Sequence, residues 1–170
     1  NMATALFVTR NDVVKFTAMN GNVDTDKFIQ YIKIAQDIHI QNYLGSKLYE
    51  LIEGYVAAGT LGNHADELAL VTDHLKPMLC HWAMVEYLPF AAYTIANKGV
   101  FKHSSENAQN VEKNEIDFLI EKERTIAQYY TDRFIDYMSF NAAAKFPTYY
   151  TNNNEDVFPD KESNFSGWVL

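Results

Sequence analysis

The chain has 170 residues, 48 % of them hydrophobic and 21 % charged, which fits one globular domain large enough to bury a core. Its net charge is −8, with 14 basic residues dispersed among 22 acidic ones, and this argues against the clustered Lys and Arg that a grip on phosphate backbones requires. Cys80 is the single cysteine, so no internal disulfide can form, and its apolar setting, MLCHWAMV, reads as a small core position.

Taken in chain order, the start, NMATALFV, lacks the basic segment and long apolar run of a secretory leader. Thr9 with Asp12 three residues on predicts a capping box opening a short first helix, RNDVVKF. NGNVDTD (20–26) reads as a turn. From Asp26 to about Ile40 the spacing predicts a helix, with Gln30, Lys33, Asp37 and Gln41 on one stripe and Phe28, Ile32 and Ala35 on the other. A break is expected near Asn42 and Gly45. Ser46 is the expected cap of the next helix, which carries Leu48, Leu51, Ile52 and Tyr55 and ends in the glycines of AAGTLGN (57–63). Asn63 with Asp66 predicts a restart. Pro77 marks a boundary or a first-turn position, because proline tolerates a helix start and not an interior.

The apolar run 77–96 contains His81, Glu86 and Pro89, which suits a buried helix better than a membrane span. Pro89 predicts a kink and Asn97-Lys98-Gly99 a stop. After HSSEN (103–107) comes the longest element, about 110–144, in which Phe118, Leu119, Ile126, Tyr130, Phe134 and Met138 recur at helical spacing. At 1.5 Å per residue such a helix spans about 50 Å, more than the width of a compact domain of this size, so part of it is expected to project or to pack on a neighbouring copy. Only LFVT (6–9) alternates like a strand. The expected architecture is all-α: a bundle of about five to six helices over residues 1–145, with one long C-terminal helix, followed by an extended, irregular arm over 146–170.

Motifs of chemistry are sparse. None of the five histidines (39, 64, 74, 81 and 103) has a glutamate three residues before it, and HExxH is missing, so neither the di-iron bundle pattern nor a zinc-protease pattern is present. His74 and His81, seven apart, would share a helix face were Pro77 not between them. There is no G-x-S-x-G, and His81 beside Cys80 points about 100° away from it on a helix, too far round to act as its base. The glycines of GYVAAGTLG (54–62) do not form a phosphate loop. The expectation is no catalytic residue, no metal site and no cofactor. A ligand-binding or regulatory helical module, built on the His74/His81 region and the 77–96 helix, is the alternative.

The arm, FPTYYTNNNEDVFPDKESNFSGWVL, is the strongest feature. Its aromatics are spread among Asn, Asp, Glu and Ser with no helical spacing, and Pro147 and Pro159 interrupt it. Burying those rings cannot by itself offset the backbone entropy of ordering the whole segment, so the arm needs a surface to order on. That surface is a partner, with the aromatics as anchors, or the arm's own bundle.

The segments NGNVDTDKFIQYIKIAQDIHIQNYLGSKLYELI (20–52), LPFAAYTIANKGVFKHSSENAQ (88–109) and AQYYTDRFIDYM (127–138), with the ending VFPDKESNFSGWVL, resemble small helical structural proteins of tailed bacteriophages. In particular they look like the head–tail connector (adaptor, or ring) proteins of crAss-like phages of Bacteroidetes hosts. The resemblance covers nearly the whole chain and rests on overall pattern. It implies a ring of twelve copies beneath the portal protein, at the head–tail junction of a virion assembled in the bacterial cytoplasm. Such a ring extends the DNA channel, lets DNA pass without specific binding and docks further neck or tail proteins. It implies no enzyme activity, no cofactor and no membrane. Terminal segments reach neighbouring subunits in such proteins, which marks Tyr149, Tyr150, Phe158, Phe165, Trp168 and Leu170 as protein-interaction residues.

Overall fold

The structure, a computed structural model, describes residues 5–17, 25–100 and 106–150. Among the described residues there is no strand. The fold is all-α, as the periodicity predicts.

The first helix, α1 (Arg10–Phe16), opens on the predicted capping box. The Asp12 amide donates to Thr9 Oγ1 at 3.3 Å, and the Thr9 amide donates to Asp12 Oδ2 at 2.8 Å. Asp12 also meets Lys76 Nζ at 3.0 Å, which ties α1 to a helix far along the chain. Burial alone would raise the Asp12 carboxyl, but the hydrogen bond from the Thr9 backbone and the Lys76 charge together hold it below the usual value.

Two long rods follow, each interrupted by one wider turn. α2 (Thr25–Ala35) passes through a π turn (Gln36–Ile40) into α3 (Gln41–Leu44). Phe28, Ile32 and Ala35 are buried as predicted, and so are Ile40 and Leu44. The core step from Ala35 to Ile40 is five residues, one more than an α-helix accommodates on one face, and the π turn absorbs it: Gln41 N–H bonds to the Gln36 carbonyl. The rod therefore does not break at Asn42. It ends at Gly45, whose φ of 77° suits glycine.

α4 (Ser46–Ala58) starts directly from Gly45, so Ser46 is its first residue and not its cap. It closes at Gly59 in the left-handed region (φ 70°), with Thr60 N–H bonded to the Tyr55 carbonyl at 2.9 Å. Asn63 lies in a short 3-10 turn (Leu61–Asn63), and His64 takes the cap position expected of Asn63.

The second rod runs from α5 (Ala65–Leu70) through a π turn (Val71–Leu75) into α6 (Lys76–Val100). Pro77 takes the expected first-turn position, as the second residue of α6, and the rod continues through it. Lys76 N–H bonds five residues back to Val71, and this wider turn makes room for the proline ring that a regular helix would exclude. α6 ends at Val100, one residue past the Asn97-Lys98-Gly99 stop, within the usual scatter of helix ends. Pro89 lies inside α6, where it offers no amide to the carbonyl four residues back. Residues 77–85 are all buried. Nine successive residues cover every side of a helix, so this part of α6 is the axis of the bundle, packed against α1, α2 and α7.

α7 (Glu106–Lys145) has 40 residues and is about 60 Å long. Its buried positions are Ala127, Thr131, Phe134, Met138 and Ala142, followed by Phe146 just beyond its end. Between residues 113 and 126 no position is fully buried, and Ile116, Ile120, Glu123 and Ile126 are half-buried, so this half of α7 packs more lightly than the rest, in line with the projection its length predicts. Phe118 and Leu119, expected to face inward, are exposed for that reason. α8 (Pro147–Tyr150) turns back onto α4 and α7. Phe146 is fully buried and Tyr149 packs against the core. The sequence assigns residues 146–150 to the arm, and here they are attached to the bundle.

A buried amide secures the N-terminal side. Gln36 Oε1 accepts from the Phe7 amide at 2.9 Å, while its Nε2 donates to the Ala5 carbonyl at 2.8 Å and to the Tyr49 hydroxyl at 3.1 Å. With its polar atoms satisfied, Gln36 is completely buried without an orphaned group, and Phe7 and Val8 enter the core beside it. The LFVT segment is thus held by a side chain rather than by a strand partner.

Candidate interaction surface

The seam between α7 and the second rod contains the two histidines that sequence reading weighed together, His74 and His81. His74 stacks on Tyr137 with ring centroids 4.2 Å apart, and His81 stacks on Tyr130 at 5.3 Å. The pair seven residues apart, His74 and His81, meets a pair seven residues apart on α7, which fixes an antiparallel register. His81 Nδ1 lies 2.8 Å from Glu123 Oε2. Trp82 Nε1 donates to Thr131 Oγ1 at 2.8 Å, and Thr131 in turn donates to the Ala127 carbonyl at 2.8 Å. On the other side of α6, His39 stacks on Trp82 at 4.2 Å and lies 3.0 Å from Glu86 Oε1. His64 stacks on Tyr55 at 3.6 Å.

Each of the four described histidines is therefore engaged with an aromatic ring. Among the described residues no three His, Cys, Asp or Glu side chains are grouped to hold a metal ion. Cys80 is buried, and burial pushes its thiol up to about 12, far from a reactive thiolate. Burial, with the Asp132 charge, also raises Tyr43, and burial raises Tyr49 to about 12 despite its hydrogen bond with Gln36.

Of the interaction residues marked from sequence, Tyr149 is half-buried against the core of its own chain. Tyr150 closes α8. Phe158, Phe165, Trp168 and Leu170 lie outside the described residues.

What sequence reading missed is on the outer face of α7. Phe118, Tyr129 and Phe140 are 67 %, 58 % and 87 % exposed. They are eleven residues apart in each step. Eleven residues at about 100° each end within about 20° of three full turns, so the three rings form one line, with a rise of about 16 Å from ring to ring. The buried positions, Ala127 to Ala142, lie on the opposite side of the same helix. Lys122, Thr125, Asp132, Arg133 and Asp136 fall along the same stripe. Two shallow, open grooves follow it, one lined by Asn114, Glu115, Phe118 and Leu119, the other by Arg124, Thr125, Gln128, Tyr129 and Asp132. Large rings at such positions are uncommon on a free surface and common at interfaces. The signal that would have found them is the eleven-residue interval itself, which the search for three- and four-residue steps passes over.

No described helix is long and apolar enough to cross a membrane. No curated protein and no solved structure matches the chain. One family profile does, over residues 40–159, from the first π turn through α8 and beyond. That match takes in most of the chain, which therefore belongs to the family of unknown function DUF6712.

Proposed function

We propose that the chain is a structural virion protein, a head–tail connector subunit that assembles as a ring below the portal, extends the DNA channel and docks neck or tail proteins. The observation that carries this reading is the sequence resemblance to connector proteins over nearly the whole chain. The all-α fold is compatible with it. So is α7, which reaches out of the core and presents large apolar side chains to water. A ring built by rotation uses two different surfaces on each subunit, and an overlong helix together with an aromatic C-terminal arm supplies such surfaces. In this reading the protein performs no catalysis and needs no cofactor; its work is recognition of neighbouring subunits. The acidic balance of the chain suits a channel through which DNA slides without adhering.

Electron microscopy of the purified chain with its portal protein tests the reading. The expected result is a ring of fixed copy number stacked on the portal, together with density for this chain in the necks of virions. A chain found only free in infected cytoplasm, and never in particles, overturns it. Within the same assay, Trp168→Ala is expected to be the most damaging single change in the arm, because buried aromatic anchors dominate such contacts.

A further inference from the structure

We propose that two copies of this chain pair through the outer faces of α7, antiparallel, about a twofold axis at Tyr129. The pairing uses the same α7 face that the connector reading offers as a ring surface, so the two contacts exclude each other on any one copy. A single head-to-tail ring contains no such axis, so the contact describes the chain outside a ring.

The stripe itself dictates the register. An antiparallel pair centred on Tyr129 brings together residues whose numbers sum to twice 129. Phe118 then meets the partner's Phe140, and Tyr129 meets the partner's Tyr129. Lys122 meets the partner's Asp136, an opposite charge. Thr125 meets the partner's Arg133, and no like charges face each other at these positions. By symmetry every contact occurs twice except the one on the axis, so the rings contribute three aromatic layers and the charges two complementary pairs. A parallel pairing would instead oppose Lys122 to Lys122 and Asp136 to Asp136.

The remaining polar groups on the stripe are partly satisfied within the helix, which lowers the cost of drying it. Thr125 Oγ1 donates to the Glu121 carbonyl at 2.9 Å, and Gln128 Nε2 donates to Asp132 Oδ1 at 3.1 Å. Tyr129 is held edge-on by Tyr130, ring centroids 5.3 Å apart, and Tyr130 is itself stacked on His81. The central ring is thus braced before a partner arrives. A fully exposed large ring buries roughly 150–250 Å² when covered; these three start 58–87 % exposed and so contribute roughly 300–500 Å² per copy. Three rings, together with Leu119, Thr125 and the aliphatic stems of Lys122 and Arg133, bring the buried area per copy toward the roughly 800 Å² of a standard interface.

The test uses the full chain in solution at micromolar concentration. Light scattering or sedimentation is expected to give twice the 19.5 kDa chain mass. Tyr129→Glu is expected to raise the dimer dissociation constant by roughly tenfold or more, with an unchanged helical circular-dichroism signal because the residue is exposed. Lys122→Asp weakens the dimer, and Asp136→Lys added to it restores the dimer. Tyr129→Cys is expected to cross-link to itself on mild oxidation, as a thiol placed on a twofold axis does, while buried Cys80 in the parent chain does not. A monomer at all concentrations overturns the proposal. So does a dimer indifferent to Tyr129→Glu, a charge swap without rescue, or a larger assembly in which the Tyr129→Cys variant forms no cross-link between copies. Loss of the dimer on removing residues 151–170, with the α7 variants silent, would assign the contact to the arm and likewise overturn the pairing.

Discussion

His74 carries a ring nitrogen, Nδ1, that is buried without a hydrogen-bond partner. Burial, and then the nearby charge of Arg133, hold its pKa below the usual histidine value. The unfolded chain takes up this proton near pH 6.5 and the folded chain only at lower pH. Stability from this site is therefore fully present above about pH 6.5 and is lost as pH falls through the folded value. His74→Phe keeps a ring against Tyr137 and removes both the orphaned nitrogen and the titration. Urea denaturation at pH 7 is expected to show equal or greater stability, by up to about 1 kcal/mol, and the loss between pH 7 and pH 5 is expected to be smaller than in the parent; an unchanged pH slope would count against this role. Thr131→Val works in the opposite direction. It preserves shape but strips the Trp82 indole of its acceptor, and a stability loss of about 1–3 kcal/mol is expected in the same measurement. Neither role was legible in the sequence, because a helical period places a residue on a face and says nothing about which polar atom finds a partner there. Gln36 makes the point most strongly: a polar side chain outside the apolar stripe of its helix, it is wholly buried.

Individual elements were legible where local chemistry alone decides them. The Thr9–Asp12 box, the stripe of Phe28, Ile32 and Ala35, and the close of α4 at glycine needed no tertiary information. The departures have more than one cause. The chain breaks at Gly45, within the expected stretch, and Pro77 takes a first-turn position, but the π turn before each changes the spacing by one residue and keeps the rod intact up to or through it, while Ser46 and Asn63 each lose the cap position to a neighbour. In α7, Phe118 and Leu119 were grouped with Phe134 and Met138 on spacing alone. The spacing is real, but no position from 113 to 126 is fully buried, and only the length of the helix hinted at that. The candidate surface was therefore legible in outline, as a projecting helix, and not in its residues.

For the whole molecule, the boundary between bundle and arm has a measurable consequence. If residues 151–170 order only on a partner, a chain ending after Tyr150 is expected to keep its helical signal and its unfolding free energy within about 0.5 kcal/mol. A chain ending after Lys145 also loses Phe146, which is fully buried, and α8 with it. Removal of a buried phenylalanine costs about 3–5 kcal/mol, so this shorter chain is expected to be severely destabilised. If the two truncations melt alike, Phe146 and α8 do not belong to the folding unit. In the connector assay, by contrast, the cut after Tyr150 is the informative one, because it removes Phe158, Phe165, Trp168 and Leu170 while leaving Tyr149 in place.

The two π turns also bear on which single-residue losses the chain tolerates. A π turn is an α-helix with one residue too many, so removing that residue should restore a regular helix without rotating the faces on either side. Deleting Asp37, an exposed residue of the first π turn, is expected to keep Ile40 and Leu44 in phase with Phe28 and Ile32 and to leave a folded protein. Deleting Asp73 from the second should not be tolerated in the same way: the tightened helix would press Pro77 against a carbonyl one turn back, at a cost of about 3 kcal/mol or more. Lineages of this chain are thus expected to gain and lose a residue at the first turn and to keep their length at the second.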